Sequence, residues 1–156
     1  KPMIIAGGSP TFSVHCKRAE IECSPGTFIY WDKGYTDLCP EQEFICAAVL
    51  LTRVVSLPGP QKICTDLGHK SVAAENDITR RVFFPEFELL IAISQSEEHL
   101  MLESDTANQF AIGDVLYGIP YHICPTVALY ESVHIVENSQ VTGTWKTLAR
   151  DRKISI

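Results

Sequence analysis

The pattern of apolar and polar positions divides the chain into two unequal parts. Short apolar runs, separated by turn residues about every ten positions, fill the last two-thirds, and such spacing is typical of an antiparallel barrel or sandwich. The run from Phe44 to Leu57 is almost wholly apolar, which favours a long strand in a sheet covered on both faces. We predict strands in this part at 44–57, 61–65, 88–94, 99–103, 114–119, 126–137 and 140–149.

The first 40 residues have a different pattern. Residues 3–6 and 20–23 are short apolar segments, and 27–32 is rich in β-branched and aromatic residues, so all three are predicted strands. The segment 12–16 is ambiguous, and a short helix is expected near Glu41. The predicted fold class is therefore mainly β, with a C-terminal antiparallel β-barrel-like domain at 41–156.

Composition limits the classes of function. A chain of 156 residues has room for one domain, or for one domain and part of another. The net charge is −6 and the Lys and Arg residues are scattered, whereas a nucleic-acid reader needs a basic stripe. No apolar run approaches the roughly 18–20 residues that cross a bilayer. We therefore expect neither a nucleic-acid partner nor a membrane span.

The cysteines indicate the redox compartment of the protein, and the first residues indicate whether the sequence is a fragment. Six cysteines could form a disulfide framework, but a chain with this much aliphatic core does not need one. We interpret them as reduced thiols of a cytoplasmic protein. The sequence starts directly on an apolar segment that leads into a glycine loop, and we expect it to be a fragment of a longer protein.

The segment Gly7–Thr11 is a candidate phosphate site. Two glycines let backbone amides approach an anion closely, and the hydroxyls of Ser9 and Thr11 can donate to phosphate oxygens. Gly-Gly-Ser-Pro is also an ordinary turn sequence. Both interpretations stay open at this point.

His122 and Cys124 are a candidate metal pair. On a strand, residues two apart face the same side, so an imidazole nitrogen and a thiolate could reach one ion. This donor pair favours zinc over magnesium or calcium. A closed structural zinc site normally has four ligands, so two indicate an open site completed by water or substrate. The alternative is a buried thiol and a histidine that only fill the core.

Two further clusters carry titratable groups. Glu97, Glu98 and His99 could perform acid–base work, or they could form a solvated turn between two strands. Asp66 and Lys70 flank a glycine, where an ion pair or a loop-capping carboxylate is the simpler role.

Taken in order, seven segments resemble the C-terminal part of the metal-dependent pyridoxal-phosphate enzymes that include D-serine dehydratase and D-threonine aldolase. They are GGSPT (7–11), PGTFIYWD (25–32), LLTRVVSLPGP (50–60), TDLGHKS (65–71), SEEHL (96–100), GDVLYGIPYHICPTVALY (113–130) and TWKTLAR (144–150). The resemblance spans nearly the whole chain. It implies that residues 1–40 are the last strands of a truncated cofactor-bearing (β/α) barrel, and that 41–156 form the β domain, as in alanine-racemase-like (fold-type III) enzymes.

The resemblance also implies a site. His122 and Cys124 match the metal-binding pair of the family, and a cysteine at this second place is similar to the dehydratase branch with zinc, whereas the aldolase branch tends to have aspartate. The resemblance places pyridoxal 5'-phosphate against four residues: Gly8, Ser9, Thr11 and Tyr30.

The resemblance implies β-elimination from a 3-hydroxy D-amino acid by a D-serine dehydratase-like lyase. Related folds dimerise, so we also expect a homodimer. The alternatives are a D-threonine aldolase-like retro-aldol enzyme, an amino-acid racemase, or a non-catalytic β module for dimerisation or binding. In the family, the lysine that forms the Schiff base lies near the start of the barrel. None of the seven lysines of this chain has a matching context, so no catalytic residue is assigned and the chain alone is expected to be inactive.

Overall fold

A computed structural model describes residues 2–151, 153 and 154. Its strands are β1 (Ile4–Gly7), β2 (Ile21–Ser24), β3 (Leu50–Gly59), β4 (Lys62–Thr65), β5 (Val82–Phe83), β6 (Ile91–Gln95), β7 (Leu100–Glu103), β8 (Val115–Pro120), β9 (Ser132–Glu137) and β10 (Gln140–Lys146). Its α-helices are α1 (Phe12–His15), α2 (Lys33–Leu38) and α3 (Ile123–Val127). The mainly-β prediction is confirmed.

Six strands form the main sheet, in the order β5-β8-β3-β4-β7-β6 with every neighbouring pair antiparallel. The sheet curls into a half-barrel. Along β3, Leu50, Thr52 and Val54 are buried, while Leu51 and Arg53 are exposed. This alternation follows from the two-residue period of a strand and places one face on the core. The predicted cover on both faces is wrong for this chain, because Leu51 on the other face is 55% exposed.

The core of the half-barrel comes from several strands and the loops between them. Its most deeply buried members, each at most 1% exposed, are Val54, Ile63, Leu67, Val72, Leu100, Leu102 and Leu116. Most of the predicted strands of this part are confirmed to within a few residues. One exception is the strand predicted at 44–57: the observed strand, β3, begins six residues later, at Leu50.

The first part contains a two-stranded parallel sheet. β1 pairs with β2 from Ile4 opposite Ile21 to Gly7 opposite Ser24, and α1 lies on the connection between them. Parallel strands need such a crossover, and their carboxyl ends meet at one edge. The strands predicted at 3–6 and 20–23 are confirmed. The division of the chain at residue 40 stays a prediction.

The strand predicted at 27–32 is wrong. Thr27–Ile29 forms a 3-10 helix, and α2 begins soon afterwards at Lys33, earlier than the helix expected near Glu41. The cause is Asp32, whose side chain accepts a hydrogen bond from the Tyr35 amide at 2.8 Å. That N-cap satisfies a free amide of the first turn and favours a helix over the β-propensity of the segment.

The strand predicted at 126–137 is also wrong in its first half, because α3 occupies Ile123–Val127 and β9 begins only at Ser132. Pro125 lies in the first turn of α3, where no amide is required, so proline is tolerated. The turn predicted between the last two strands is confirmed. Asn138 and Ser139 both have positive φ, at 51° and 62°, and together they form a two-residue hairpin loop.

All six cysteines are free thiols. Of the helices in the described part of the chain, none is long and apolar enough to span a bilayer.

Candidate functional site

His122 and Cys124 lie at the start of a helix and not on a strand. His122 is the N-cap residue of α3, and Cys124 is in the first helical turn. The argument from strand alternation is therefore wrong for this pair. The backbone on either side is held by α2: the Gly34 amide donates to the Tyr121 carbonyl at 3.1 Å, and the Ile123 amide donates to the Asp32 carboxylate at 3.0 Å.

Asp32 connects two helix starts. It is only 1% exposed, and its two oxygens have different partners: Oδ1 accepts from the Tyr35 amide and Oδ2 from the Ile123 amide. A buried carboxylate costs free energy unless its oxygens are hydrogen-bonded, and here both are. The segment 27–35 and the His122–Cys124 pair are consequently held in one fixed arrangement.

The imidazole of His122 has a carboxylate partner that the sequence did not reveal. Its Nδ1 lies 2.6 Å from Oε1 of Glu75, and the two side chains are 43% and 42% exposed. Nε2 has no hydrogen-bond partner among the described residues. Glu75 belongs to the segment 72–86, which carries none of the seven family-like motifs, and 47 residues separate it from His122. No local signal could have joined them.

Cys124 is exposed and lies beside the segment 27–35. Its Sγ is 3.4 Å from Oγ1 of Thr27. The pKa of Tyr35 is raised by burial first, then by electrostatic interaction with Cys124 and with Asp32, while the Thr27 hydroxyl opposes the rise. The Tyr35 phenol therefore stays neutral at physiological pH and can donate a hydrogen bond beside the thiol.

The donor set fits zinc. An imidazole nitrogen without a partner and an exposed cysteine sulfur are both ligands that zinc prefers. Across residues 2–151, 153 and 154, no three or more His, Cys, Asp or Glu side chains are placed to hold one ion. The pair would therefore leave coordination positions for water or substrate, as catalytic zinc sites do.

The Gly7–Thr11 segment follows β1 at its carboxyl end. Gly8 has φ +92°, a conformation that side chains rarely adopt, and a short 3-10 helix covers Ser9–Thr11. Ser9 is 3% exposed and its hydroxyl has no hydrogen-bond partner. A buried hydroxyl without a partner costs free energy, so this loop keeps an unused donor. The hydroxyl of Thr11 bonds the carbonyls of Gly7 and Gly8, both at 3.2 Å.

Tyr30 follows the 3-10 helix Thr27–Ile29 and is half-buried. Its carbonyl accepts from the Ala47 amide at 2.7 Å. The next residue, Trp31, is 1% exposed and has φ 54°. Positive φ is unusual for a bulky residue and requires support from its surroundings. Stacking on the Tyr35 ring, at 5.4 Å between centroids, supplies part of that support.

Aromatic rings connect the Gly7–Thr11 segment with the region of Tyr35. Phe44 lies 6.2 Å from Phe12 and 5.0 Å from Trp31 between ring centroids, and Trp31 stacks on Tyr35. An open cleft of about 360 Å³ borders this cluster at the carboxyl end of β2. It is lined by Phe12, Cys23, Ser24, Pro25, Phe28 and Phe44.

The two other titratable clusters are structural. Lys70 pairs with Glu97 at 2.8 Å and with Glu98 at 2.7 Å, all three on the surface. Their hydrogen bonds raise the pKa of Lys70, the reverse of what a Schiff-base lysine needs. Asp66 accepts from the Thr52 hydroxyl at 2.6 Å and so caps a loop, with no pairing to Lys70.

The fold is shared with several solved structures. Solved structures with the same fold include D-threonine aldolase from Filomicrobium marinum (TM-score 0.82, 20% identity, 95% of this chain and 41% of that chain). D-threo-3-hydroxyaspartate dehydratase from Delftia sp. HT23 has a TM-score of 0.75 at 18% identity, over 93% of this chain and 44% of that one. An alanine racemase-like protein from Idiomarina loihiensis has a TM-score of 0.72 at 20% identity, over 92% of this chain and 43% of that one. The fold is alanine-racemase-like.

The family follows from the sequence. Residues 47–136, more than half of the chain, match the sequence model of one protein family, described as "Putative serine dehydratase domain". The chain belongs to this family, and the predicted resemblance is confirmed. A D-threonine aldolase of Arthrobacter sp is 26% identical over 131 residues, which are 84% of this chain and 34% of that protein. The chain thus spans about a third of the length of that relative.

Proposed function

We propose that this chain is part of a zinc- and pyridoxal-phosphate-dependent lyase that removes water from a 3-hydroxy D-amino acid. The observation that carries the proposal is the position of His122 and Cys124. Both present metal-binding atoms without a strong competing partner, and Asp32 fixes their backbone against the segment 27–35. Membership of the serine dehydratase family supports the same chemistry.

His122, through Nε2, and Cys124, through Sγ, would hold the zinc ion. When bound, zinc acts as a Lewis acid, and this makes a substrate hydroxyl a better leaving group. A thiolate ligand favours zinc over harder ions such as manganese. Tyr35, kept neutral by burial and nearby negative charge, would donate a hydrogen bond next to this pair.

Gly8 and Ser9 would hold the phosphate of the cofactor. The Ser9 hydroxyl is a buried donor without a partner. Gly8 has no side chain and adopts a positive φ, so a phosphate could approach its backbone closely. When bound, pyridoxal phosphate supplies an electron sink for cleavage next to the amino acid's α-carbon. The apolar cleft lined by Phe28 and Phe44 would shield the bound cofactor from water. Thr11 and Tyr30, which the family resemblance places near the cofactor, would complete its surroundings.

The Schiff-base lysine is proposed to lie outside this sequence. Activity, substrate choice and assembly into a homodimer would then belong to the whole protein, of which this chain supplies the metal pair and the phosphate loop. The substrate stays proposed at the level of a 3-hydroxy D-amino acid.

A second candidate is retro-aldol cleavage, which the 26% identity to a D-threonine aldolase favours. The two reactions have different products. Elimination of water from D-serine followed by hydrolysis yields pyruvate and ammonia, whereas cleavage of D-threonine yields glycine and acetaldehyde. Product analysis with both substrates therefore separates the two candidates.

The test combines metal analysis with activity on the full-length protein. We expect about one zinc per chain and ammonia release from D-serine, both lost in Cys124→Ser and in His122→Ala. The matched control is Cys16→Ser, which removes another exposed free thiol and should retain both. A wild-type protein that binds no zinc would refute the proposed metal site, and release of glycine instead of ammonia would favour the aldolase.

A further inference from the structure

We infer that Glu75 is a positioning residue that orients His122 as a metal ligand, an inference that rests on the proposed zinc site. The Glu75 carboxylate holds the Nδ1–H tautomer of the ring and directs the lone pair of Nε2 to the ion.

The geometry of the pair supports this role. A separation of 2.6 Å between Nδ1 and Oε1 is a short, charge-assisted hydrogen bond. In neutral imidazole one nitrogen donates and the other accepts, so a carboxylate at Nδ1 leaves Nε2 as the free donor of an electron pair. Within the described part of the chain, Glu75 has no second side-chain hydrogen-bond partner, and Nε2 of His122 has none at all.

Glu75 is presented from an anchored segment. Val72 is fully buried and Ala73 is 9% exposed, two residues before the glutamate. The Ala73 amide donates to the Thr126 hydroxyl at 3.2 Å, and that hydroxyl donates to the His122 carbonyl at 2.7 Å. The same threonine therefore holds the backbone of both partners, which fixes the carboxylate relative to the ring.

Stability alone does not account for the contact. Both side chains are more than 40% exposed, and exposed ion pairs contribute little to stability. By contrast, carboxylates that accept from the second nitrogen of a ligating histidine increase metal affinity about 10–100-fold. Glu75 has the position of such a carboxylate, because it contacts Nδ1 of His122 and leaves Nε2 for the metal.

The experiment measures zinc affinity of the full-length protein by competition with a chelator. We expect Glu75→Ala to weaken zinc binding about 10–100-fold. Glu75→Gln should fall between Ala and wild type, because its amide oxygen accepts from Nδ1–H without the charge. Glu98→Gln is the matched control: it removes another exposed, ion-paired glutamate, on Lys70, and should bind zinc as the wild type does.

One more measurement separates positioning from a structural role. The unfolding midpoint of the zinc-free protein should be the same in Glu75→Ala and in the wild type.

The outcomes are distinguishable. Cys124-dependent zinc binding that Glu75→Ala leaves unchanged overturns this inference and leaves the proposed function standing. The inference is likewise overturned if the loss of affinity follows a drop in the unfolding midpoint of the zinc-free protein. A wild-type protein that binds no zinc overturns both the inference and the proposed metal site.

Discussion

The carboxylate of Asp32 accepts a hydrogen bond from the backbone amide of Ile123 at 3.0 Å, although 91 residues separate them in the sequence. Ile123 lies between His122 and Cys124, so this bond fixes the backbone at the centre of the proposed metal pair. The other oxygen of Asp32 caps α2 through the Tyr35 amide. One buried side chain thus connects the segment that follows the parallel strands with the half-barrel.

Asp32→Ala is expected to lower the free energy of unfolding by about 2–4 kcal/mol, because it removes an N-cap and leaves the Ile123 amide without its partner. Denaturant unfolding measures the change. Asp37→Ala is the control on the same helix, since Asp37 is exposed and, among the described residues, pairs with Lys33 alone, and it should cost less than about 1 kcal/mol. Equal losses of unfolding free energy in both variants would mean that the two hydrogen bonds of the Asp32 carboxylate are not a major source of stability.

Gly34→Ala is expected to destabilise the protein by about 2 kcal/mol or more. A Cβ at this position would lie 2.4 Å from the Tyr121 carbonyl oxygen, and backbone cannot yield as a flexible side chain does. Gly26→Ala is the matched control, because its Cβ would meet nothing within 4 Å and its φ is −106°. Thermal unfolding of both variants tests the prediction, which fails if the two midpoints shift equally.

Ser9→Ala is expected to act in opposite directions on stability and on cofactor binding. Removing a buried hydroxyl without a partner should raise the free energy of unfolding of the cofactor-free protein by about 1 kcal/mol. The same change should weaken retention of pyridoxal phosphate in dialysis, because a donor to the phosphate is lost. Ser13→Ala, which removes an exposed hydroxyl bonded to Glu41, should leave retention unchanged. Unaltered retention in Ser9→Ala would exclude the hydroxyl as a phosphate contact.

Asp66 is expected to make stability sensitive to acid. Burial opposes ionisation, but hydrogen bonds from the Thr52 hydroxyl and the Arg53 amide outweigh it and lower the pKa of Asp66. A folded-state pKa below the unfolded value stabilises the protein above about pH 4, and the contribution is lost as pH falls through the folded-state value.

Asp66→Asn should therefore unfold more easily than the wild type at pH 7, with the difference shrinking below about pH 4. Denaturant titrations at several pH values measure it. Asp77→Asn is the control, since the Asp77 side chain caps no helix and is exposed. A constant difference across this range would show that the charge of Asp66 is not the cause.

Local sequence was sufficient for several elements because their signals repeat at short range. The alternation of buried and exposed residues in β7 and β8, and the two-residue turn at Asn138 and Ser139, each depend on neighbours within a few positions. The resemblance that pointed to the family rests on short motifs in order, and it too needed no tertiary contact.

The elements that were predicted wrongly share a physical cause. The segments 27–32 and 126–131 carry aromatic and β-branched residues that favour strands, but tertiary contacts outweigh this weak preference. At the first, the buried carboxylate of Asp32 accepts from the Ile123 amide, 91 residues away, and at the second, the Thr126 hydroxyl accepts from the Ala73 amide, 53 residues away. Propensity within a window of residues contains neither contact.

The amino-acid sequence alone was sufficient for the mainly-β class, the positions of most strands along the chain, the family, and the choice of His122 and Cys124 as the candidate metal pair. The folded structure was needed to show that the pair begins a helix, that Glu75 lies against His122, and that Asp32 accepts from the Ile123 amide. The last two contacts join residues 47 and 91 positions apart. Periodicity describes which face a residue occupies, whereas contacts at such separations exist only once the half-barrel has folded and brought those segments together.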